Sequence, residues 1–395
     1  MGVVSAIGNN LPTFWQSLKE GYCGIKTITL FNTSGYRSNN GGEVEWLSPE
    51  SFFTSHQLRR LSRCDQFGIL AAREAMVCSG IELDEVKRER FGIILGADSG
   101  GIYSVEKYFR PIYTHSLKRP SPSLLVSFAL ATTTDHIAHE LDLCGPRTTT
   151  ATVCSSSAAA IAFAHEAIAC GNADIMITGG SDSLCEVTYA GFNSLRAIDP
   201  AGCRPFDKNR KGLSLGEGAG ILILEELEYA RARGARVWGE VLGNSICAEA
   251  HHLTAPEPSG EGIARAIKLA LRDAGISPEK VDYINAHGTG TPMNDLVETR
   301  GIKIAFGKRA HTIPLNAIKS MIGHCLGSAG GIEAIATLLS LQEGVIPPTI
   351  NYSTPDPECD LDYTPNEAKK KDVSIALSNS FAFGGNNVCL VFGKV

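Results

Sequence analysis

The sequence predicts an α/β fold built from two related halves. Short apolar segments typical of buried strands alternate along the chain with longer segments of helical periodicity. The 41 glycines of the 395-residue chain gather where the apolar segments end, as expected for tight turns in layered α/β structures. In each half a strand-like segment leads into a residue that can do chemistry, so we expect both halves to contribute to one site.

Four segments have the composition of buried strands and four others have that of helices. The predicted strands are Phe91–Ala97, Ala173–Gly180, Gly218–Leu227 and Asn386–Gly393. The predicted helices are Cys64–Gly80, Cys154–Cys170, Gly262–Ala274 and Ala329–Gln342. An Arg- and Ala-rich helix within Glu226–Trp238 is expected to join the halves. The opening residues MGVVSAIGNN are interpreted as turn-like, without a complete strand before them.

Composition narrows the class of protein. Charged residues make up 20% and apolar residues 43% of the chain, and the formal net charge of −6 argues against a nucleic-acid-binding surface. Neither a signal peptide nor an apolar run of membrane-spanning length occurs, so we expect no integral membrane association. The twelve cysteines form no CxxC pair, which gives no support for a metal site and fits a reduced, cytoplasmic compartment. Cys170 and Cys389 are expected to be small buried hydrophobes.

Cys154 is the candidate nucleophile. It lies in TATVCSSSAAAIAFAHEAI, at the predicted start of a helix rich in small residues. The partial positive charge of a helix N-terminus favours a thiolate, and the backbone N–H of Cys154 is a candidate oxyanion donor. The alternative is a buried structural cysteine.

His287 follows a strand-like segment in NAHGTGTPMND. A single histidine after a strand is usually a core residue, but the Gly-Thr-Gly-Thr sequence beside it favours an open site. The hydroxyls of Thr289 and Thr291 are candidates for contact with an amide of a ligand.

His324 lies in KSMIGHCLGSAGG, between Lys319 and Glu333. A Lys–Glu pair at this place is predicted to keep His324 neutral through repulsion from the lysine. The alternative for the pair is an ordinary structural ion pair.

The segment SNSFAFGGNN is predicted to form a strand, a turn and a second strand. Phe381 and Phe383 are candidates for the core. Because Phe383 precedes two glycines, it is also a candidate for gating a pocket, and its backbone N–H is a candidate second oxyanion donor.

These motifs occur in the order found in the β-ketoacyl-[acyl-carrier-protein] synthases, and the chain resembles that family nearly end to end. The resemblance is carried by GVVSAIGNN, RPFDKNRKGLSLGEGAG, NAHGTGTP and NSFAFGGNNVCLVFG. It is strongest to the elongating, Cys-His-His, synthase II-like branch of the thiolase-like superfamily. It implies a homodimer with a five-layer αβαβα fold and two pseudo-symmetric halves: residues 1–232 with the nucleophile and residues 233–395 with the two histidines.

The resemblance also implies a reaction. Cys154 would accept an acyl chain from an acyl carrier protein, and His287 and His324 would stabilise the enolate formed when malonyl-carrier protein loses CO2. Condensation would then give a β-ketoacyl-carrier protein two carbons longer, in fatty acid or polyketide-type synthesis. Lys319 and Glu333 match the family's supporting charged pair, and with Cys154, His287 and His324 they make up the predicted catalytic set.

Other positions match the family's substrate-binding residues. Phe383 matches a gating phenylalanine, and Phe381, Thr289 and Thr291 belong to the same substrate-binding set; Asp295 matches a structural acid. The resemblance implies no metal, flavin or nicotinamide cofactor, because the phosphopantetheine arm arrives on the carrier protein.

A basic surface would suit an acidic carrier protein. The positions that match carrier-binding residues of the family are Arg59, Arg60, Lys118, Arg119 and Arg204, with Arg63 close to the first two. The alternative is an ordinary solvated set of charges.

The sequence departs from the family at several positions. Serines 155–157 follow the nucleophile where Ala or Thr is common, and Asn386 replaces a usual threonine. Glu249 occupies a position where aspartate is common in the family, and His251 occupies one where an aromatic residue is common. These departures favour altered acyl-chain choice and allow a specialised pathway.

Four other classes of protein fit the sequence less well. A catalytically silent, chain-length-factor-like partner typically lacks the nucleophile, and a scaffold would not need the Cys-His-His set. A thiolase-like acyl-CoA enzyme needs a second cysteine in a C-terminal CxG motif, which does not occur, and no GxSxG motif supports a hydrolase.

Overall fold

The computed structural model describes residues 1–45, 48–116 and 119–395. Its strands are β1 (Gly2–Val4), β2 (Lys26–Thr27), β3 (Asn40–Gly42), β4 (Phe91–Gly96), β5 (Arg147–Thr150), β6 (Ile175–Asp182), β7 (Leu215–Gly216), β8 (Gly218–Glu225), β9 (Glu240–Ala248), β10 (Tyr283–Asn285), β11 (Leu315–Asn316), β12 (Val345–Ile346), β13 (Lys369–Lys370), β14 (Ile375–Ala382) and β15 (Asn386–Gly393). Its helices are α1 (Leu11–Lys19), α2 (Ser55–Leu58), α3 (Arg63–Ser79), α4 (Ile102–Tyr113), α5 (Thr132–Glu140), α6 (Ser156–Ala169), α7 (Glu186–Ser194), α8 (Leu227–Ala232), α9 (Glu261–Asp273), α10 (Pro292–Phe306), α11 (Lys319–Ile322) and α12 (Ala329–Glu343).

Two five-stranded sheets of the same topology form the frame of the molecule. The first has the order β1-β8-β6-β4-β5, and the second has the order β9-β15-β14-β10-β11. In each sheet, taken in that order, the first two pairings are antiparallel and the last two are parallel. The repeated pattern confirms that the two halves are pseudo-symmetric.

The sheets and helices stack in five layers. Helices α6 and α12 lie between the sheets and contact both. Helices α3 and α5 cover the outer face of the first sheet, and α9, with α10 beside it, covers the outer face of the second. The α/β, αβαβα expectation is therefore confirmed.

Small residues allow the two central helices to approach closely. A Cβ atom on Gly330 of α12 would lie 2.8 Å from the backbone nitrogen of Ala158 on α6, and one on Gly331 would lie 2.5 Å from the carbonyl oxygen of Gly220. Both contacts are too short for a larger side chain. The Ala- and Gly-rich sequences of these helices therefore follow from their burial between two sheets.

The start of the chain differs from its prediction. Residues Gly2–Val4 form β1, which pairs antiparallel with β8, so that Gly2 lies opposite Ile221. A Cβ on Gly2 would lie 2.0 Å from the carbonyl oxygen of Ala71 in α3. The turn-like interpretation was wrong here because the strand is held by packing against α3, and three residues are too few to show a period of two.

The predicted central elements are present with small shifts in their ends. The segment predicted as one helix from Cys154 begins as a 3₁₀ turn, Val153–Ser155, before α6. The joining helix within Glu226–Trp238 is the short α8. Cys389 is buried as expected, whereas Cys170, at the end of α6, is exposed, so that part of the prediction was wrong. In the described ranges no helix is long and apolar enough to cross a membrane.

Candidate active site

Cys154 lies in the turn that links β5 to α6, between the two sheets. The residue before it, Val153, has a φ of 57°, a left-handed conformation that is costly for a β-branched side chain. The hydroxyl of Ser156 holds the turn by donating to the carbonyl of Val153 (2.7 Å) and accepting from the N–H of Thr152 (2.9 Å). Ser156, two residues after the nucleophile, therefore fixes the position of the thiol.

The thiol of Cys154 is 5% exposed, and its environment does not favour a resting thiolate. Burial, followed by the negative charge of Asp98, raises the pKa of this thiol to about 12, although Lys319 acts in the opposite direction. The expectation of a pKa lowered at a helix N-terminus was wrong because desolvation outweighs that charge. Attack by sulfur therefore requires that its proton leaves during the reaction.

Two backbone N–H groups face the sulfur of Cys154. They belong to Cys154 itself and to Phe383, and both lower the pKa of the thiol. Phe383 begins the turn between β14 and β15, where Gly384 and Gly385 have φ values of 78° and 73°. A pair of fixed N–H donors beside a nucleophile is the arrangement that stabilises an oxyanion.

His324 is 1% exposed, and its surroundings fix which ring nitrogen carries the proton. The N–H of Leu326 donates to Nδ1 at 3.1 Å, so the proton of the neutral ring is on Nε2. Burial, and next the charge of Lys319, hold the pKa of His324 well below its usual value. The Nε2 atom is buried without a hydrogen-bond partner in the described structure, so an N–H donor is free for a ligand.

His287 presents a second neutral ring. Its centroid lies 5.4 Å from that of His324, with the rings nearly perpendicular. Nζ of Lys319 lies 3.4 Å from Nδ1 of His287, and because an ammonium only donates, the ring proton is on Nε2 here as well. Burial is the largest cause of a pKa far below the usual value, followed by the charges of Lys319 and His324.

Lys319 and Glu333 form a buried ion pair behind the histidines, each 1% exposed. Burial raises the pKa of Glu333 to about 7, while Lys319 acts to lower it. Lys319 of this pair contacts the ring of His287, whereas the sequence predicted that the pair acts on His324. Lys319 nevertheless disfavours the charged form of both imidazoles.

Two buried acids hold the loop of His287. The carboxylate of Glu298 accepts from the N–H groups of His287 and Gly288, both at 2.8 Å. Asp295 accepts from the N–H groups of Phe206 and Gly290. Asp295 was predicted to be structural, whereas Glu298 was missed, although its place one turn beyond Asp295 on α10 was a usable signal.

Asp182 was also missed. Its carboxylate accepts from the N–H groups of residues 98, 99 and 100 after β4 and from that of Gly327, three residues after His324. Burial and the neighbouring Asp98 raise the pKa of Asp182 to about 7. Nothing local in the sequence marks this residue, since its partners lie more than 80 positions away.

One cavity of about 240 Å³ joins the predicted site residues. Its lining includes three of the five predicted catalytic residues and the four predicted substrate-binding residues: Cys154, His287, His324, Thr289, Thr291, Phe381 and Phe383. The other two predicted catalytic residues, Lys319 and Glu333, are not among the lining residues. The hydroxyls of Thr289 and Thr291 lie 2.9 Å apart, and the ring of Phe383 stacks on Phe192 at 5.8 Å. The cavity runs from the buried thiol and imidazoles to exposed residues at its mouth.

The departures from the family pattern lie at different distances from this cavity. Glu249 lines it and is held by Nδ2 of Asn387 and the N–H of Glu257, both at 2.8 Å. Asn386 donates to the carbonyl of Phe383 and so ties the turn together. His251 is exposed and is not among the lining residues.

The predicted carrier-binding residues differ in how exposed they are. Arg59, Arg60 and Arg119 are exposed, whereas Arg204 is half-buried beside Asp199 at 3.5 Å. Lys118 lies outside the described residues. Arg63, considered with them, is the first residue of α3 and forms a buried ion pair with Glu217 (2.9 Å from Nε), so it is not available to a partner.

The described residues contain no group of side chains that could bind a metal ion. No group of three or more His, Cys, Asp or Glu side chains within residues 1–45, 48–116 and 119–395 is placed to hold an ion.

Comparison with known proteins decides the family. Residues 1–230 match the family model of the β-ketoacyl synthase N-terminal domain, and residues 238–353 match that of the C-terminal domain. The chain belongs to the β-ketoacyl synthase family. It is 42% identical to a protein of Synechocystis named 3-oxoacyl-[acyl-carrier-protein] synthase 2, over 100% of this chain and 96% of that one.

Solved β-ketoacyl synthase structures share the fold over the whole chain. The ishigamide ketosynthase/chain length factor is 38% identical, with a TM-score of 0.94 and coverage of 100% of this chain and 97% of that one. A complex of a type II polyketide synthase acyl-carrier protein with its ketosynthase contains a chain that is 32% identical, with a TM-score of 0.91 and coverage of 100% and 98%.

Proposed function

We propose that this β-ketoacyl synthase condenses an acyl thioester held on Cys154 with malonyl-acyl carrier protein. The product is a β-ketoacyl-carrier protein two carbons longer. The observation that carries the proposal is the pair of buried, neutral imidazoles that lie with the thiol in one cavity. The names of the relatives support the same reaction class.

In the first step, the acyl group moves from the carrier's pantetheine sulfur to Sγ of Cys154. One C–S bond forms and one breaks, and the thiol proton of Cys154 passes to the departing pantetheine sulfur. The N–H groups of Cys154 and Phe383 stabilise the tetrahedral oxyanion. Because the resting thiol is protonated, this proton transfer accompanies attack.

In the second step, the malonyl thioester loses CO2, and the electron pair of the broken C–C bond forms an enolate. The negative charge develops on the thioester oxygen, where the Nε2–H groups of His287 and His324 stabilise it. Both rings are neutral and buried, so they act as hydrogen-bond donors in a medium of low dielectric.

In the last step, the enolate carbon attacks the carbonyl carbon of the acyl group on Cys154. A C–C bond forms, the C–S bond breaks, and the sulfur leaves as a thiolate that takes up a proton. The same two backbone N–H groups stabilise the second tetrahedral oxyanion. The cycle thus consumes one proton and releases one CO2.

We also propose the partners and the cellular compartment of the enzyme. The phosphopantetheine arm arrives on the acyl carrier protein, so no resident cofactor is required, and the protein acts in the cytoplasm. Exposed Arg59, Arg60 and Arg119 are proposed to meet the acidic carrier. A homodimer is supported by the edge of β5, for which β4 is the only partner strand among the described residues, since such an edge can pair with a second copy.

A catalytically silent partner subunit is not better supported. Such a subunit has no use for a nucleophile, yet Cys154, His287 and His324 line one cavity. Intact-mass measurement of the protein, with a panel of acyl-carrier proteins, tests the proposal. We expect an acyl adduct that maps to Cys154, is absent from Cys154→Ala and persists in Cys170→Ser; a folded protein that forms no adduct with any acyl chain would favour the silent subunit.

A further inference from the structure

The mouth of the active-site cavity carries two cations that the condensation chemistry does not use. Arg196 follows α7, and Lys211 precedes β7; both line the cavity and both are exposed. No described residue is found in an ion pair or hydrogen bond with the guanidinium of Arg196 or the ammonium of Lys211. Both charges therefore remain available to a ligand.

The acids near the mouth are already engaged. Glu249, which lines the cavity, accepts hydrogen bonds from Asn387 and from the N–H of Glu257. The carboxylate of Asp199 accepts from the backbone N–H of Lys211, not from its ammonium, and lies beside Arg204. The charged side chains of the cavity lining are Arg196, Lys211 and Glu249, two cations against one anion, so the lining has a net positive charge although the whole chain is acidic.

The chemical groups that line the cavity differ in burial. The thiol of Cys154, the two imidazoles and Thr289 are buried, Thr291 is half-buried, and the two cations are exposed. A phosphopantetheine thioester offers a matching set of groups: a reacting thioester at one end, amides that bond to hydroxyls, and a phosphate at the other end.

We propose that Arg196 and Lys211 form a phosphate-binding subsite at the mouth of the cavity, which recognises the phosphate ester of a phosphopantetheine thioester. A guanidinium suits the oxygens of a phosphate group, and an ammonium adds a second charge. The subsite orients the arm before its thioester reaches Cys154. The inference deepens the proposed function and rests on it.

The test compares two acyl donors that differ only in the phosphate: an acyl-phosphopantetheine and the matching acyl-pantetheine. The second-order rate of Cys154 acylation is followed by intact mass at low ionic strength. We expect the wild-type protein to prefer the phosphorylated donor by about two- to thirtyfold, the range for two exposed ion pairs. Added salt should reduce the preference, because exposed charges are screened.

The double variant Arg196→Gln/Lys211→Gln is expected to lose this preference while its rate with acyl-pantetheine stays within about twofold. Glutamine keeps a β-carbon at residue 196, whose φ is 54°, so the backbone strain is unchanged. Lys208→Gln is the matched control, since Lys208 is an exposed lysine of the same loop outside the cavity lining and should keep the preference.

Two results would overturn the inference: equal rates for both donors in the wild-type protein, or a preference that survives in the double variant. A third would assign the cations to the carrier protein itself, namely a double variant that is slower only with acyl-carrier protein and keeps its preference between the small donors. Failure of the proposed function is distinct, because neither donor would then acylate Cys154.

Discussion

Replacing His324 with alanine should separate the two halves of the reaction. The Nε2–H of His324 is an unpartnered donor in a buried cavity, and its direction is fixed by the bond from Leu326 to Nδ1. Loss of one such preorganised donor costs about 3–4 kcal/mol, so decarboxylation of malonyl-carrier protein should slow by about 10²–10³-fold. Acylation of Cys154 uses other donors and should change by less than about threefold.

The two half-reactions are measured separately, acylation by intact mass and decarboxylation by CO2 release. The variant also leaves the buried N–H of Leu326 without its acceptor, which should cost about 1–3 kcal/mol of stability, so a urea titration must show that it is folded. His165→Ala, which removes a histidine bonded to Asn244 outside the site, should leave both rates unchanged. An equal loss of acylation and decarboxylation in folded His324→Ala would refute the division of roles.

Further predictions concern charge and packing. Lys319→Met or Glu333→Gln alone should lower the free energy of unfolding by about 3–5 kcal/mol, because either change leaves a buried charge without its partner. In a double-mutant cycle measured by urea unfolding, the double variant should lose less than the sum of the two single losses. Additive losses would contradict the presence of a buried ion pair. Burial raises the pKa of Glu298 from 4.5 to about 7. The contribution of Glu298 to the free energy of unfolding is therefore full below pH 4.5 and falls by about 3 kcal/mol as the pH rises to 7. In Glu298→Gln the free energy of unfolding should no longer fall in this way between pH 4.5 and 7. The same pH dependence in the variant and the wild-type protein would contradict the raised pKa of Glu298. Gly2→Ala should lower the free energy of unfolding by about 1–3 kcal/mol, because the added Cβ would clash with backbone atoms of α3. Gly191→Ala, where an added Cβ meets no atom, should be neutral or stabilising. Similar shifts of the melting temperature in the two variants would contradict the placement of β1.

Much of the fold could be predicted because its elements are long and regular. Strands β4, β6, β8 and β15 are apolar and bounded by turn residues, so local pattern was sufficient. The site motifs were also local, since each of Cys154, His287 and His324 stands in a short sequence of small residues.

The remaining features depend on contacts between distant parts of the chain. Asp182 joins two loops that are far from it in sequence, and β1 exists because β8 and α3 hold it. The pKa of Cys154 was predicted in the wrong direction because burial, which a local sequence does not reveal, outweighs the helix N-terminus. The contact of Lys319 with His287 likewise follows from the tertiary fold.

A single-turnover experiment on isolated acyl-enzyme tests the central claim most directly. Enzyme acylated on Cys154 and freed of donor is mixed with malonyl-carrier protein, and the adduct, CO2 and product are followed together. The proposed chemistry predicts that the adduct disappears as CO2 appears in a 1:1 ratio, with a β-ketoacyl-carrier protein two carbons longer as the product. Release of the acyl group as free acid, or CO2 release that leaves the adduct on Cys154, would contradict it.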